Sequence, residues 1–194
     1  MQKIAQISLL SGLLCLPVVL TVGLSFAGVG HPLKGEVLQN TSFLDESNHT
    51  TEVVFFGYAG CSYVCPTALF RLNELVESIH AEDSGVSLGI TFVDVNAYQQ
   101  LGTAQQYGAQ FSDHIRGINL SGAELEKTRE QFRLSVTGRA DTKQGIIHTD
   151  HFFVLTRSDK RQDWQIQHIL AQSTSDEEIK HILITAVKPP NIPS

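Results

Sequence analysis

The stretch FFGYAGCSYVCP, residues 55–66, decides how this chain is read. An apolar run ends in Gly57-Tyr58-Ala59-Gly60, two cysteines flank three residues, and Pro66 follows at once. Proline suits the first turn of a helix, where its missing N–H costs nothing. Leu69, Leu72, Leu75, Val76 and Ile79 then fall on one face of a helix over 66–80. Upstream, residues 52–58 are apolar, β-branched and aromatic without interruption, which predicts a buried strand. The two thiols therefore stand at a strand-to-helix turn, where helix amides favour thiolate over thiol. Such a pair can serve a disulfide, a redox reaction or a soft metal ion.

Working outward, Val86, Leu88, Ile90 and Phe92 alternate and predict a second strand over 86–95. Asn96 can cap a helix to about residue 111, with Ala97, Leu101, Ala104, Gly108 and Phe111 on one stripe. Residues 115–120 read as a third strand, and Ser121 with Glu124 forms a capping box for a helix to about residue 133. A polar, glycine-containing loop covers 135–147. Residues 151–156 and 164–169 then predict an antiparallel pair. Ser175 and Glu178 open a last helix that buries Ile179, Ile182 and Leu183. Residues 31–51, polar with a few apolar positions, predict a short hairpin before the main fold. The order β-α-β-α-β-α-β-β-α predicts an α/β fold with a central mixed sheet flanked by helices. With a cysteine pair ending the first core strand, that is the thioredoxin-like arrangement.

Residues 1–30 stand apart as a membrane anchor or signal peptide, leaving 31–194 as the folded domain. Lys3 is the only charge before His31, and residues 4–29 are almost wholly apolar, longer than the roughly 20 residues a spanning helix needs. An uncleaved hydrophobic helix is the first reading; cleavage near Ser25-Phe26-Ala27 is the second, and both export the rest. Cys15 follows Leu13-Leu14 rather than a small residue, so it reads as a small hydrophobe in that segment, not a lipidation site. The net charge of the whole chain is −6, and without Lys3 the exported part carries −7. No basic field invites nucleic acid.

A disulfide for stability alone would close a five-residue loop worth about 2 kcal/mol, which a domain with this core hardly requires. Thioredoxin-fold oxidoreductases carry C-x-x-C and a cis-proline before a later strand. This chain has C-x-x-x-C and no proline between Pro66 and Pro189. Where that proline would stand is IIHTDHFFVL, residues 146–155, with His151 opening the strand. Two thiolates and one imidazole form a soft set suited to copper, in either oxidation state, whereas zinc wants a fourth ligand. His148 is the rival, and on a continuous strand the two imidazoles would face opposite ways. His31, His49, His80, His114, His168 and His181 read as ordinary surface or core residues.

FFGYAGCSYVCPTAL, followed some ninety residues later by TDHFFVL, resembles the Sco (SenC) family over roughly residues 33–186. The resemblance implies a tethered thioredoxin-like domain that binds copper through Cys61, Cys65 and His151, with Asp150 orienting the loop. It implies a role in assembling the CuA centre of cytochrome c oxidase, by delivering copper to the receiving subunit or by reducing its cysteines. It places the domain on the exported, periplasmic side. One departure stands out: the family often has Asp-Pro and a charged run after the second core strand, whereas VDVNAYQQ keeps Asp94 without the proline or the charges. The alternative is a thiol–disulfide oxidoreductase in which Cys61 attacks and Cys65 resolves; a redox-sensing interaction module is a third reading.

Overall fold

The computed structural model describes residues 31–39, 41–138, 146–157 and 163–187. The predicted N-terminal helix lies outside them. Strand β1, Thr51–Gly57, is buried along its whole length, as its unbroken apolar run requires. It pairs in parallel with β2, Leu88–Asp94, and antiparallel with β6, Phe152–Arg157. Beyond them lie β3, Ile115–Asn119, parallel to β2, and β7, Trp164–Leu170, antiparallel to β6. The five-stranded order is β3-β2-β1-β6-β7, a mixed sheet of the kind expected.

Alternation along β1 splits the core in two. Val53 and Phe55 face a layer with Phe92, Phe152, Cys65 and Leu69; Val54 and Phe56 face another with Phe132, Phe153 and Trp164. Helix α1, Val64–Glu82, covers the first face with its buried Leu69, Leu72, Leu75, Val76 and Ile79. Helix α4, Asp176–Val187, joins it there through Ile179 and Leu183. Arg71 ties the two helices by bonding Asp176 and the carbonyls of Gln172 and Thr174. On the other face, α3, Gly122–Gln131, starts at the expected capping box: Ser121 and Glu124 each accept the other's amide.

Three expectations change. The helix after Asn96 shrinks to α2, Thr103–Gly108. Asp94 accepts the Asn96 amide and Asn96 in turn accepts the Tyr98 amide, which folds 96–98 into side-chain-capped turns. Gly102, at φ +87°, then resets the chain for the short helix. The loop over 135–147 contains a small ribbon, β4 (Val136–Gly138) against β5 (Ile146–His148). Among the described residues of 31–51 no hairpin pairing is present; Gly35, Glu36 and Leu38 lean on the β7 edge, and a 3₁₀ turn lies at Ser42–Leu44.

Candidate metal centre

The C-terminal end of β1 runs into the turn 57–60, whose Gly60 takes φ +112°, a conformation glycine adopts without strain. The Cys61 amide closes this turn on the Tyr58 carbonyl at 3.1 Å. Cys61 is half-buried, Cys65 fully buried within α1, and both are free thiols. Gly57 is required for a different reason. A Cβ there would stand 2.7 Å from Phe92 Cε2 and 2.9 Å from Cys65 Sγ. The buried sulfur packs directly on the bare backbone of β1.

The two thiols differ electrostatically. Burial pushes the Cys61 thiol up, but bonds from the Cys65, Tyr63 and Val64 amides and from the Cys65 side chain outweigh it, and its pKa falls. The Cys65 amide reaches Cys61 Sγ at 3.4 Å. Burial pushes Cys65 far above the ordinary thiol range, helped by the neighbouring Cys61 and Asp94 charges. Of the two, Cys61 is therefore the thiol that gives up its proton more readily, and Cys65 the one that keeps it.

The β4–β5 ribbon supplies the nitrogen. His148 Nε2 lies 3.8 Å from Cys65 Sγ, and Nδ1 lies 2.8 Å from the Thr149 carbonyl oxygen. A carbonyl only accepts, so the ring proton sits on Nδ1 and the lone pair of Nε2 faces the sulfur. This is how a ligating imidazole is commonly fixed in its tautomer. Phe55 and Tyr58 hold the ring edge-on at centroid distances of 6.3 and 6.2 Å. His151 stands just before β6, half-buried, and Asp150 beside it is exposed. Among the described residues no three His, Cys, Asp or Glu side chains already stand as a complete ligand cluster. The donor set nevertheless fits a soft ion, with one thiol whose pKa is lowered, a second sulfur and an oriented imidazole beside it.

Three further residues support the site. Tyr58, in the cysteine turn, sets its ring edge-on against His148 of the ribbon, and burial together with the two cysteines pushes its hydroxyl pKa up. The Tyr107 hydroxyl donates to the Cys61 carbonyl at 2.7 Å, with its ring on Phe92 and Phe111. Asp94, buried at the end of β2, accepts the Ala59 amide at 3.2 Å and the Asn96 amide at 2.8 Å. Burial pushes its carboxyl up to about 6, against the pull of those amides and of Asn119. A carboxylate closing the apolar run ITFVD was a visible signal for Asp94; nothing in the sequence pattern singles out Tyr107.

A mixed-sheet domain with a dithiol at a helix entrance and an imidazole on the buried sulfur defines a thioredoxin-like protein with a candidate metal centre. The family model described as SCO1/SenC matches residues 34–188, and the chain belongs to that family. No curated protein matches it in sequence. Among solved structures it is similar to Arabidopsis thaliana ScoI with copper bound, at 16% identity and TM-score 0.63, covering 74% of this chain and 88% of that one. It is similar also to Bradyrhizobium japonicum ScoI with copper bound, at 21% identity and TM-score 0.59, covering 73% and 88%. A third similar structure is BsSco, a member of the Sco family of cytochrome c oxidase assembly proteins in which a disulfide switch was identified. There the identity is 14% and the TM-score 0.54, covering 83% and 96%. At such identities the likeness establishes the fold.

Proposed function

We propose that this chain binds copper as cargo through Cys61, Cys65 and His148, and passes it to the copper-receiving subunit of a terminal oxidase during assembly of the CuA centre. The observation that carries the reading is His148 Nε2 at 3.8 Å from Cys65 Sγ with its proton committed to Thr149. It favours His148 over His151 as the nitrogen donor. Phe152 already occupies the Cys65 side of the sheet, so alternation in an extended chain directs position 151 to the other side. The two sulfurs suit Cu(I), and the imidazole adds a donor that Cu(II) prefers. Residues 1–30 tether the domain to the membrane on its exported side; the support is their apolar length.

Copper enters as the Cys61 thiolate binds first and Cys65 gives up its proton to the medium when the metal compensates for burial. It leaves when ligands of the recipient replace the sulfurs one at a time. A thiol–disulfide exchange reading draws on the same asymmetry, an accessible low-pKa Cys61 and a buried Cys65 able to resolve a mixed disulfide. Deleting the gene and measuring CuA in the purified oxidase tests the main reading. The expected result is oxidase lacking CuA, restored by the wild-type chain and not by Cys61→Ser or Cys65→Ser. Normal CuA in the deletion strain, at limiting copper, would refute it.

A further inference from the structure

On its cysteine side the candidate metal centre lies in a region without formal charge. From Val53 to Phe70, and again from Val95 to Ser112, the chain contains no Asp, Glu, Lys, Arg or His, although its net charge is −6. The two stretches are joined in space. Gln99 Nε2 donates to the Ala59 carbonyl at 3.5 Å, and Tyr107 donates to the Cys61 carbonyl. Asp94, the carboxylate between them, is buried and held by backbone amides, so it shows no charge at the surface.

This neutral region exposes large side chains around the cysteines. Tyr63 between the thiols is 80% exposed, Tyr98 85%, Leu101 84% and Phe70 59%. Isolated exposed apolar residues are ordinary, but a group of them around one site marks an interaction surface. An open cleft of about 900 Å³ continues from it. Pro66, Thr67, Phe70 and Phe111 line its uncharged part, while Arg71 and Lys180 lie among the charged residues beyond.

We infer that this neutral, aromatic collar of Tyr63, Phe70, Tyr98 and Leu101 is the docking surface for the protein that exchanges copper with the site, and that this partner meets it with an uncharged apolar surface. The inference rests on the proposed copper role. A metal held by two thiolates leaves by ligand exchange, so the recipient's own ligands must reach the copper beside Cys61 and bond it as the Cu–S bonds break. A macromolecule that does so covers the rim around the cysteine turn. With no formal charge on the cysteine side of that rim, between Val53 and Phe70 and between Val95 and Ser112, recognition there depends on apolar burial and aromatic contact rather than on charge pairing.

The test measures copper transfer from the full chain loaded with Cu(I) to two acceptors: the purified copper-receiving domain of the oxidase subunit and a small Cu(I) chelator that needs no docking. Leu101→Glu, Leu101→Lys and Tyr98→Gln are compared with wild type. Each variant is expected to slow transfer to the protein roughly fivefold or more, whatever the sign of the new charge, and to leave transfer to the chelator unchanged. The wild-type rate should change by less than about twofold between low and high salt. Unchanged protein transfer in all three variants, or opposite effects of Glu and Lys with a steep salt dependence, overturns the proposal. So does a loss confined to self-association by sedimentation, or to binding of phosphatidylcholine vesicles, since the occupant would then be a second copy or a lipid surface. Calorimetric binding of the copper-free chain to the same domain reads the collar separately. If copper never loads but this binding is weakened by the variants, the metal reading fails and the docking surface stands; if the variants bind like wild type, the docking surface fails.

Discussion

Asp94 offers a sharp perturbation, because its carboxyl is buried beneath the cysteine turn with a pKa raised to about 6 from an ordinary 3.8. A folded-state pKa above the unfolded one means that the folded protein takes up a proton as pH falls between those values. The associated stability is fully present below pH 4, is lost as pH rises through 6, and amounts to about 3 kcal/mol at most. Asp94→Asn cannot titrate. The difference in unfolding free energy between wild type and Asp94→Asn should therefore shift in favour of wild type by about 2–3 kcal/mol on going from pH 7.5 to pH 4. In a domain of this size that corresponds to about 4–12 °C in relative Tm. Urea unfolding of both proteins at half-unit intervals, reduced and metal-free, measures it directly, and taking the difference cancels the other carboxylates. Two curves running parallel across that range would refute the claim that Asp94 is a desolvated acid. A shift of the opposite sign would show that the bonds from Ala59 and Asn96 dominate over burial.

Gly57→Ala should destabilise the domain by about 1–3 kcal/mol, because its Cβ cannot clear Phe92 and Cys65 Sγ without displacing one of them; copper titration should show weakened binding beyond what the stability loss explains. Tyr107→Phe keeps the rings on Phe92 and Phe111 but removes the bond to the Cys61 carbonyl, so a loss of about 1 kcal/mol and faster hydrogen exchange in the cysteine turn are expected. At pH 7.5, alkylation of the reduced chain should modify Cys61 well before Cys65, as peptide mapping by mass spectrometry will show; equal rates would contradict the thiolate assignment.

Strand and helix order could be read from residues 52–95 because the signals there are local: unbroken apolar strands, Pro66 at a helix entrance, and leucines on one helical face. The helix placed over 96–111 failed for a tertiary reason. Its first residues are held by Asp94, whose carboxylate gathers the Asn96 and Ala59 amides together and leaves 96–98 as turns. What remains, α2, is pinned to β3 where Ala104 and Gln105 bond Asn119 and Gly117. At Gly117 a Cβ would fall 2.1 Å from the Ala104 carbonyl oxygen, so only glycine admits that approach. The β4–β5 ribbon has three residues per strand and no tight-turn signature, too little for any periodicity to reveal. That omission governs the choice of imidazole. With 135–147 read as a loop, His151 at the head of β6 is the first choice and His148 the rival; the ribbon brings His148 Nε2 to 3.8 Å from Cys65 Sγ, which is why His148 is the proposed donor.

The copper ligand set is tested most directly by Cu(II) titration of the full chain with its cysteines reduced, read by nitrogen superhyperfine structure in the EPR spectrum. One copper per chain, a nitrogen signal lost in His148→Ala and kept in His151→Ala, and no binding in Cys61→Ser/Cys65→Ser are the predicted results. A nitrogen signal that survives in His148→Ala and vanishes in His151→Ala would contradict the account.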